Sequence, residues 1–158
     1  MARLGLLLLV MLTIHAESAA GATPNEYCNE RFGFCVTIPA GFAAEPPPEN
    51  GDGLRFTDSR GGSIVVSGIN NVFEATLDTV AKDEKAVFDR VTYEKQGENW
   101  LVLSGYCGDD ILYSKIYVGA GCLQSLRIRH PQALAKEYSS ITAEVARSFE
   151  PGELAESH

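Results

Sequence analysis

The sequence predicts an α+β fold: a three-layer α/β/α sandwich with a central, largely antiparallel twisted sheet and one main helix on each face. Three observations carry this reading. The stretch from Trp100 to His130 divides into three consecutive strands, Trp100–Cys107, Ile111–Val118 and Cys122–His130. The connections Gly108-Asp109-Asp110 and Gly119-Ala120-Gly121 are short and glycine-bearing, as hairpins require. Apolar residues fall on both faces of this meander, and two amphipathic stretches, one before it and one after it, supply helices to cover them.

The N-terminus reads as a cleaved secretory signal over residues 1–22. Arg3 gives the positive start, residues 4–14 are almost wholly apolar, and small residues lead to a cut after Ala20 or Ala22. The apolar run is too short for a comfortable transmembrane helix, so no stable membrane anchor is expected after cleavage. A periplasmic or secreted location follows, with a single domain over 23–150 and a flexible tail over 151–158.

Within the domain, Phe34, Val36 and Ile38 alternate with Cys35 and Thr37 to give a strand that Pro39 stops. Residues 40–50 form a stiff connector around Pro46-Pro47-Pro48. Asn50-Gly51-Asp52-Gly53 turns the chain into a strand over 54–58, and Asp58-Ser59-Arg60-Gly61-Gly62 closes a hairpin onto a strand over 63–69. Asn71-Val72-Phe73-Glu74 has the shape of a capping box and opens a helix whose apolar side runs from Leu77 to Phe88. A strand over 91–95 precedes the meander. After Pro131, Tyr138, Ile141 and Val145 at helical spacing predict a second helix to about Ser148, ended by Pro151-Gly152.

Four cysteines remain after cleavage, in a compartment that permits disulfides. Three complete pairings exist. Cys28 and Cys35 flank a segment able to turn back on itself, which places them as cross-strand neighbours within disulfide reach. Cys107 and Cys122 fall at opposite ends of the meander, on the order of 23 Å apart, and their state stays open. No CxxC spacing makes the four a zinc site, so no metal is assigned.

Composition narrows the functions. Removing residues 1–22 takes away Arg3 and Glu17, so the net charge stays at −8. Such a domain repels phosphate backbones and anionic membrane surfaces, which argues against nucleic acid. His130 is the one histidine within the domain, and Ser104 lies in Leu103-Ser104-Gly105 rather than a nucleophile-elbow motif, so a hydrolase built on them is disfavoured. Asn50–Gly53 and Asp109-Asp110 read as turns rather than calcium loops. No phosphate-cradling glycine loop is present, and no cofactor is expected. The surface singled out for binding is one face of the meander. Tyr113, Lys115 and Tyr117 alternate there, and Arg127 and Arg129 are expected beside them. Aromatic groups interleaved with cations suit an acidic partner or an anionic ligand.

The opening Tyr27-x-Asn29-x-x-Phe32-Gly33-Phe34, followed by Ile38-Pro39, resembles the start of PsbP-like domains. The glycine-rich hairpin, mid-chain helix, meander and terminal helix ending Ser148-Phe149 extend the resemblance over nearly the whole mature chain. Asn50–Gly53, Leu103–Tyr106 and His130-Pro131 are similar to segments of small secreted bacterial proteins with that domain. The resemblance implies an α/β/α sandwich and no single activity, since its members include photosystem accessory proteins and partner-binding proteins. Immunity proteins that block secreted toxins are sometimes built on similar scaffolds. No catalytic residue carries over. The expected function is therefore a non-enzymatic binding protein for a protein partner, with an inhibitor or immunity-like protein as its specific version and a carrier of a small apolar or anionic ligand as the alternative.

Overall fold

The computed structural model describes residues 25–155; the expected signal segment and the last three residues lie outside them. Nine strands and two α-helices form among the described residues. The strands are β1 Asn25–Cys28, β2 Cys35–Ile38, β3 Ala43–Ala44, β4 Gly53–Thr57, β5 Ser63–Asn70, β6 Arg90–Gln96, β7 Trp100–Cys107, β8 Asp110–Val118 and β9 Cys122–Pro131. The helices are α1 Leu77–Lys85 and α2 Ala135–Ser148. Seven strands make one antiparallel sheet in the order β3-β4-β5-β9-β8-β7-β6, while β1 and β2 form a separate hairpin. This is the α+β architecture that the sequence predicts.

The small hairpin is a covering element. A disulfide joins Cys28 to Cys35 across it, with Cα atoms 4.1 Å apart. The Asn29 carboxamide oxygen accepts from the Phe32 backbone N–H at 2.8 Å and shapes the turn. Phe32, Phe34 and Val36 then meet Ile64, Val66, Leu126 and Phe149 in the larger core. That core lies between the sheet and a layer made of α2 and the hairpin. The smaller core lies on the other face, where Val80, Ala81 and Phe88 cover Leu101, Leu103, Leu112 and Ile116.

Four expectations need correction. First, β8 pairs one residue away from the register that three-residue connections on both sides would set: Cys107 stands opposite Asp110 rather than Ile111, Trp100 opposite Tyr117 rather than Val118, and Val118 opposite Leu123 rather than Cys122. Gly108 takes φ +61°, which tightens the β7–β8 connection to two residues in the manner of a turn with glycine at its first position. Side chains alternate with period two, so this slip turns every β8 side chain to the opposite face.

Second, Asn71 does not cap α1. Its carboxamide bonds Ala75 N–H, Ala75 C=O and Gly119 C=O, holding an irregular loop in which Glu74 has φ +50°. The cap is Thr76, in a reciprocal box with Thr79. Third, the segment after α2 is held rather than loose as far as Leu154. Buried Gln124 accepts from Gly152 N–H and donates to Glu153 C=O and Phe32 C=O, and Leu154 C=O accepts from Gly121 N–H. Fourth, the covers are partial. Helix α2 packs on β2, β9 and β8, whereas α1 packs on β7. Each side of the sheet thus keeps an uncovered part, toward opposite edges.

Candidate functional site

The slip of β8 builds the main surface feature. Tyr113, Lys115 and Tyr117 now share a face with Trp100 and Val102, the face that α2 covers only in part. From the neighbouring edge strand, Tyr93 and Lys95 join the same face, because Tyr93 pairs with Ser104 and Lys95 with Val102. The result is an open groove of roughly 860 Å³. Its floor is sheet, and its wall is the Ser139, Ala143 and Ala146 side of α2, whose small side chains leave the space free.

The groove is aromatic and basic. Lys95 Nζ lies 5.9 Å from the Trp100 ring centroid. Lys115 Nζ lies 5.2 Å from the Tyr117 ring and donates to Ala146 C=O at 3.1 Å, so it caps the end of α2 while facing the groove. No aspartate or glutamate lines the groove, in a chain of net charge −8. Burial, with the neighbouring Tyr93 and Tyr117, pushes the Tyr113 hydroxyl up to about 12, so it stays neutral at physiological pH. Thr142 Oγ1, on the α2 wall, is buried and has no hydrogen-bond partner among the described residues.

Arg127 and Arg129 do not belong to this surface. They sit on the opposite face, paired with Ser114 and Leu112 of β8, and both are already neutralised. Arg127 makes a two-pronged contact with Glu84 of α1, Nε to Oε1 at 2.9 Å and Nη2 to Oε2 at 2.5 Å. Ser114 Oγ donates to Glu84 Oε1 at 2.7 Å. Burial pushes the Glu84 carboxyl up, but the Arg127 and Ser114 hydrogen bonds and the guanidinium charge outweigh it and hold the group below its usual range. Arg129 bonds Asp110 at 2.6 Å. The five residues expected to act together are therefore divided three and two by the sheet.

The remaining candidates settle into structural surroundings. His130 is buried and stacks on Tyr138, with ring centroids 4.6 Å apart and planes 5° from parallel. Tyr138 in turn donates to Asp58, which also accepts from Gly62 N–H at 2.7 Å. Ser104 is two strands away from His130, and no hydrogen bond joins them among the described residues. Asn50–Gly53 receives the hairpin: Asn29 donates to Gly51 C=O at 2.9 Å, and Arg31 pairs with Asp52. Cys107 and Cys122 are free thiols at opposite ends of β7 and β9.

Tyr93, Lys95 and Trp100 were not among the expected binding residues. A signal for them exists: Tyr93-Glu94-Lys95 repeats the Tyr-x-Lys spacing of Tyr113-Ser114-Lys115 on a second strand.

No family model matches the chain, and no curated protein matches it by sequence. Its fold is similar to that of cyanobacterial PsbP (CyanoP) from Synechocystis sp. PCC 6803, with a TM-score of 0.62 at 15% identity over 87% of this chain and 98% of that one. It is also similar to the Ran-binding protein Mog1p of Saccharomyces cerevisiae, with a TM-score of 0.53 at 12% identity over 82% of this chain and 95% of that one. At these identities the likeness shows a PsbP-like fold. No helix among the described residues is long and apolar enough to cross a membrane.

Proposed function

We propose that the chain is a non-enzymatic periplasmic or secreted binding protein that takes an acidic segment of a partner protein into the groove beside α2. The observation that carries this reading is the groove's charge. Two lysines and four aromatic rings line it, with no carboxylate, on a molecule that is otherwise strongly acidic. An acidic ligand gains there what it loses elsewhere on the surface. Aromatic side chains supply contact area at small entropic cost, the usual make-up of an interface hot spot.

The location rests on the signal-like residues 1–22 and agrees with the Cys28–Cys35 disulfide. Protein binding is compatible with the fold, since Mog1p is described as Ran-binding. The specific version is an inhibitor or immunity-like protein that blocks a hydrolase by holding an acidic loop of it.

Trp100 is the only tryptophan and lines the groove, so its emission reports occupancy. Titration with a glutamate-rich peptide carrying a central phenylalanine is expected to give a saturable change that weakens as salt is added. The lysine counterpart of the peptide should give none. Lys95→Glu is expected to weaken binding at least tenfold. Equal response to both peptides, or none to either, overturns the reading.

A further inference from the structure

We propose that the cleft between α1 and the β5–β9 pair binds a small uncharged amphiphile through an acceptor oxygen. The cleft has a volume of about 330 Å³ and lies on the face of the sheet opposite the groove. At about 30 Å³ for each water-sized group, it holds roughly ten non-hydrogen atoms.

Its polar end is made of unspent donors. Ser67 and Ser125 face each other across β5 and β9 with their hydroxyl oxygens 3.0 Å apart. One hydroxyl donates to the other, and the second keeps its proton free. Arg127 also lines the cleft. Its Nε and Nη2 are committed to Glu84, while Nη1 makes no hydrogen bond among the described residues. A hydroxyl proton and a guanidinium N–H thus line the same cleft without a hydrogen-bond partner among the described residues. Ile116 stands beside Ser125 in the same cross-strand row, and the apolar end beyond it is formed by Leu123 and Ile69, paired on β9 and β5, with Val80 of α1; Ile69 is 55% exposed.

Charge selects the class of ligand. Asp83 and Glu84 outweigh Arg127 in the lining, so a carboxylate would meet Asp83 and compete with Glu84 for the guanidinium. An ammonium group can accept nothing from the free hydroxyl, is repelled by Arg127, and finds Glu84 already paired, which leaves only exposed Asp83 as its partner. An uncharged carbonyl satisfies the free donors at no electrostatic cost, and four to six carbons behind it reach the apolar end. Amides, esters and ketones of that size are the class.

The test uses three probes with equal tails, N,N-dimethylhexanamide, hexanoate and hexylammonium, added to the folded chain and followed by amide chemical shifts. The amide, which only accepts, is expected to saturate with shifts centred on Ser67, Ser125 and Arg127. Hexanoate and hexylammonium are each expected to bind at least tenfold more weakly. Ser67→Ala with Ser125→Ala should weaken the amide at least fivefold, with the remaining shifts unchanged in the absence of ligand. If the double variant does not fold, the ranking of the three probes on the unaltered chain still decides. Non-saturating shifts, a charged probe that binds as well as the amide, or shifts centred elsewhere overturn the proposal.

Discussion

Trp100 stands directly opposite Tyr117 in the β7–β8 ladder, one residue away from the partner that a three-residue turn would give it. That single pairing decides which side chains share a surface. It brings Tyr113, Lys115 and Tyr117 to the tryptophan and leaves Ser114 to bond Glu84 on the other side.

Lys115 and Lys95 differ in what they do for the fold, and substitution separates the two. Lys115→Met removes the cation that bonds Ala146 C=O at the end of α2, with an expected loss of about 1 kcal/mol in urea unfolding as well as weaker peptide binding. Lys95→Met should weaken binding alone, with an unchanged urea midpoint.

Removing Arg127 is expected to cost more than removing Glu84. Arg127→Ala leaves a carboxylate whose side chain is 6% exposed, at about 3 kcal/mol. Glu84→Ala leaves a guanidinium already 40% exposed, which rehydrates, at about 1.5 kcal/mol. The Glu84 carboxyl sits below its ordinary value of 4.5 in the folded state, so its contribution is complete above that pH. It is lost as pH falls through the lower folded value. The stability gap between the unaltered chain and Glu84→Gln should therefore close on acidification below about pH 4.5.

Tyr138 gives the opposite sign. Burial, then the bond to Asp58 and its charge, raise the hydroxyl from 10.0 to about 12. The stability this represents is present below pH 10 and disappears as pH rises through about 12. Tyr138→Phe is expected to cost about 2 kcal/mol at neutral pH and to flatten the alkaline fall. Urea unfolding at several pH values measures both.

The thiols give a direct count. The folded, unreduced chain should show two reactive-thiol equivalents in denaturant, Cys107 and Cys122, and four after reduction. In the folded state Cys107, which is half-buried, should react before buried Cys122. Cys28→Ser with Cys35→Ser is expected to lose about 2 kcal/mol, given the short loop of sequence separation 7.

Gly68 lies under the Phe32 ring, and a Cβ there would come within 2.3 Å of it. Gly68→Ala is expected to lose about 2 kcal/mol by thermal unfolding, because the ring that seals the hairpin onto the sheet must move.

Most of the layered fold is legible in the sequence because its signals are local. Alternation over residues 100–131 and helical spacing from Tyr138 to Val145 are enough for the strands and α2. The Cys28–Cys35 pairing follows from a short segment that turns on itself. The candidate surface is less legible, since a one-residue turn difference at Gly108 redistributes β8 without altering any strand's existence. The α1 start is hidden for a similar reason. Asn71 resembles a cap in sequence, but its carboxamide reaches Gly119, 48 residues away, and nothing local announces that. The docked segment after α2 depends likewise on buried Gln124, a polar residue amid an otherwise ordinary strand.

The offset of the two helical covers has a mechanical consequence. Strand β8 alternates between two opposed surfaces, with Tyr113 and Lys115 turned to one and Ser114, between them, bonded on the other to Glu84, which Arg127 also holds. A load applied to either side bears on the same short ribbon, at adjacent peptide units. Crosstalk between occupants on opposite sides would thus need no hinge and no moving domain, only a slight tilt of one strand.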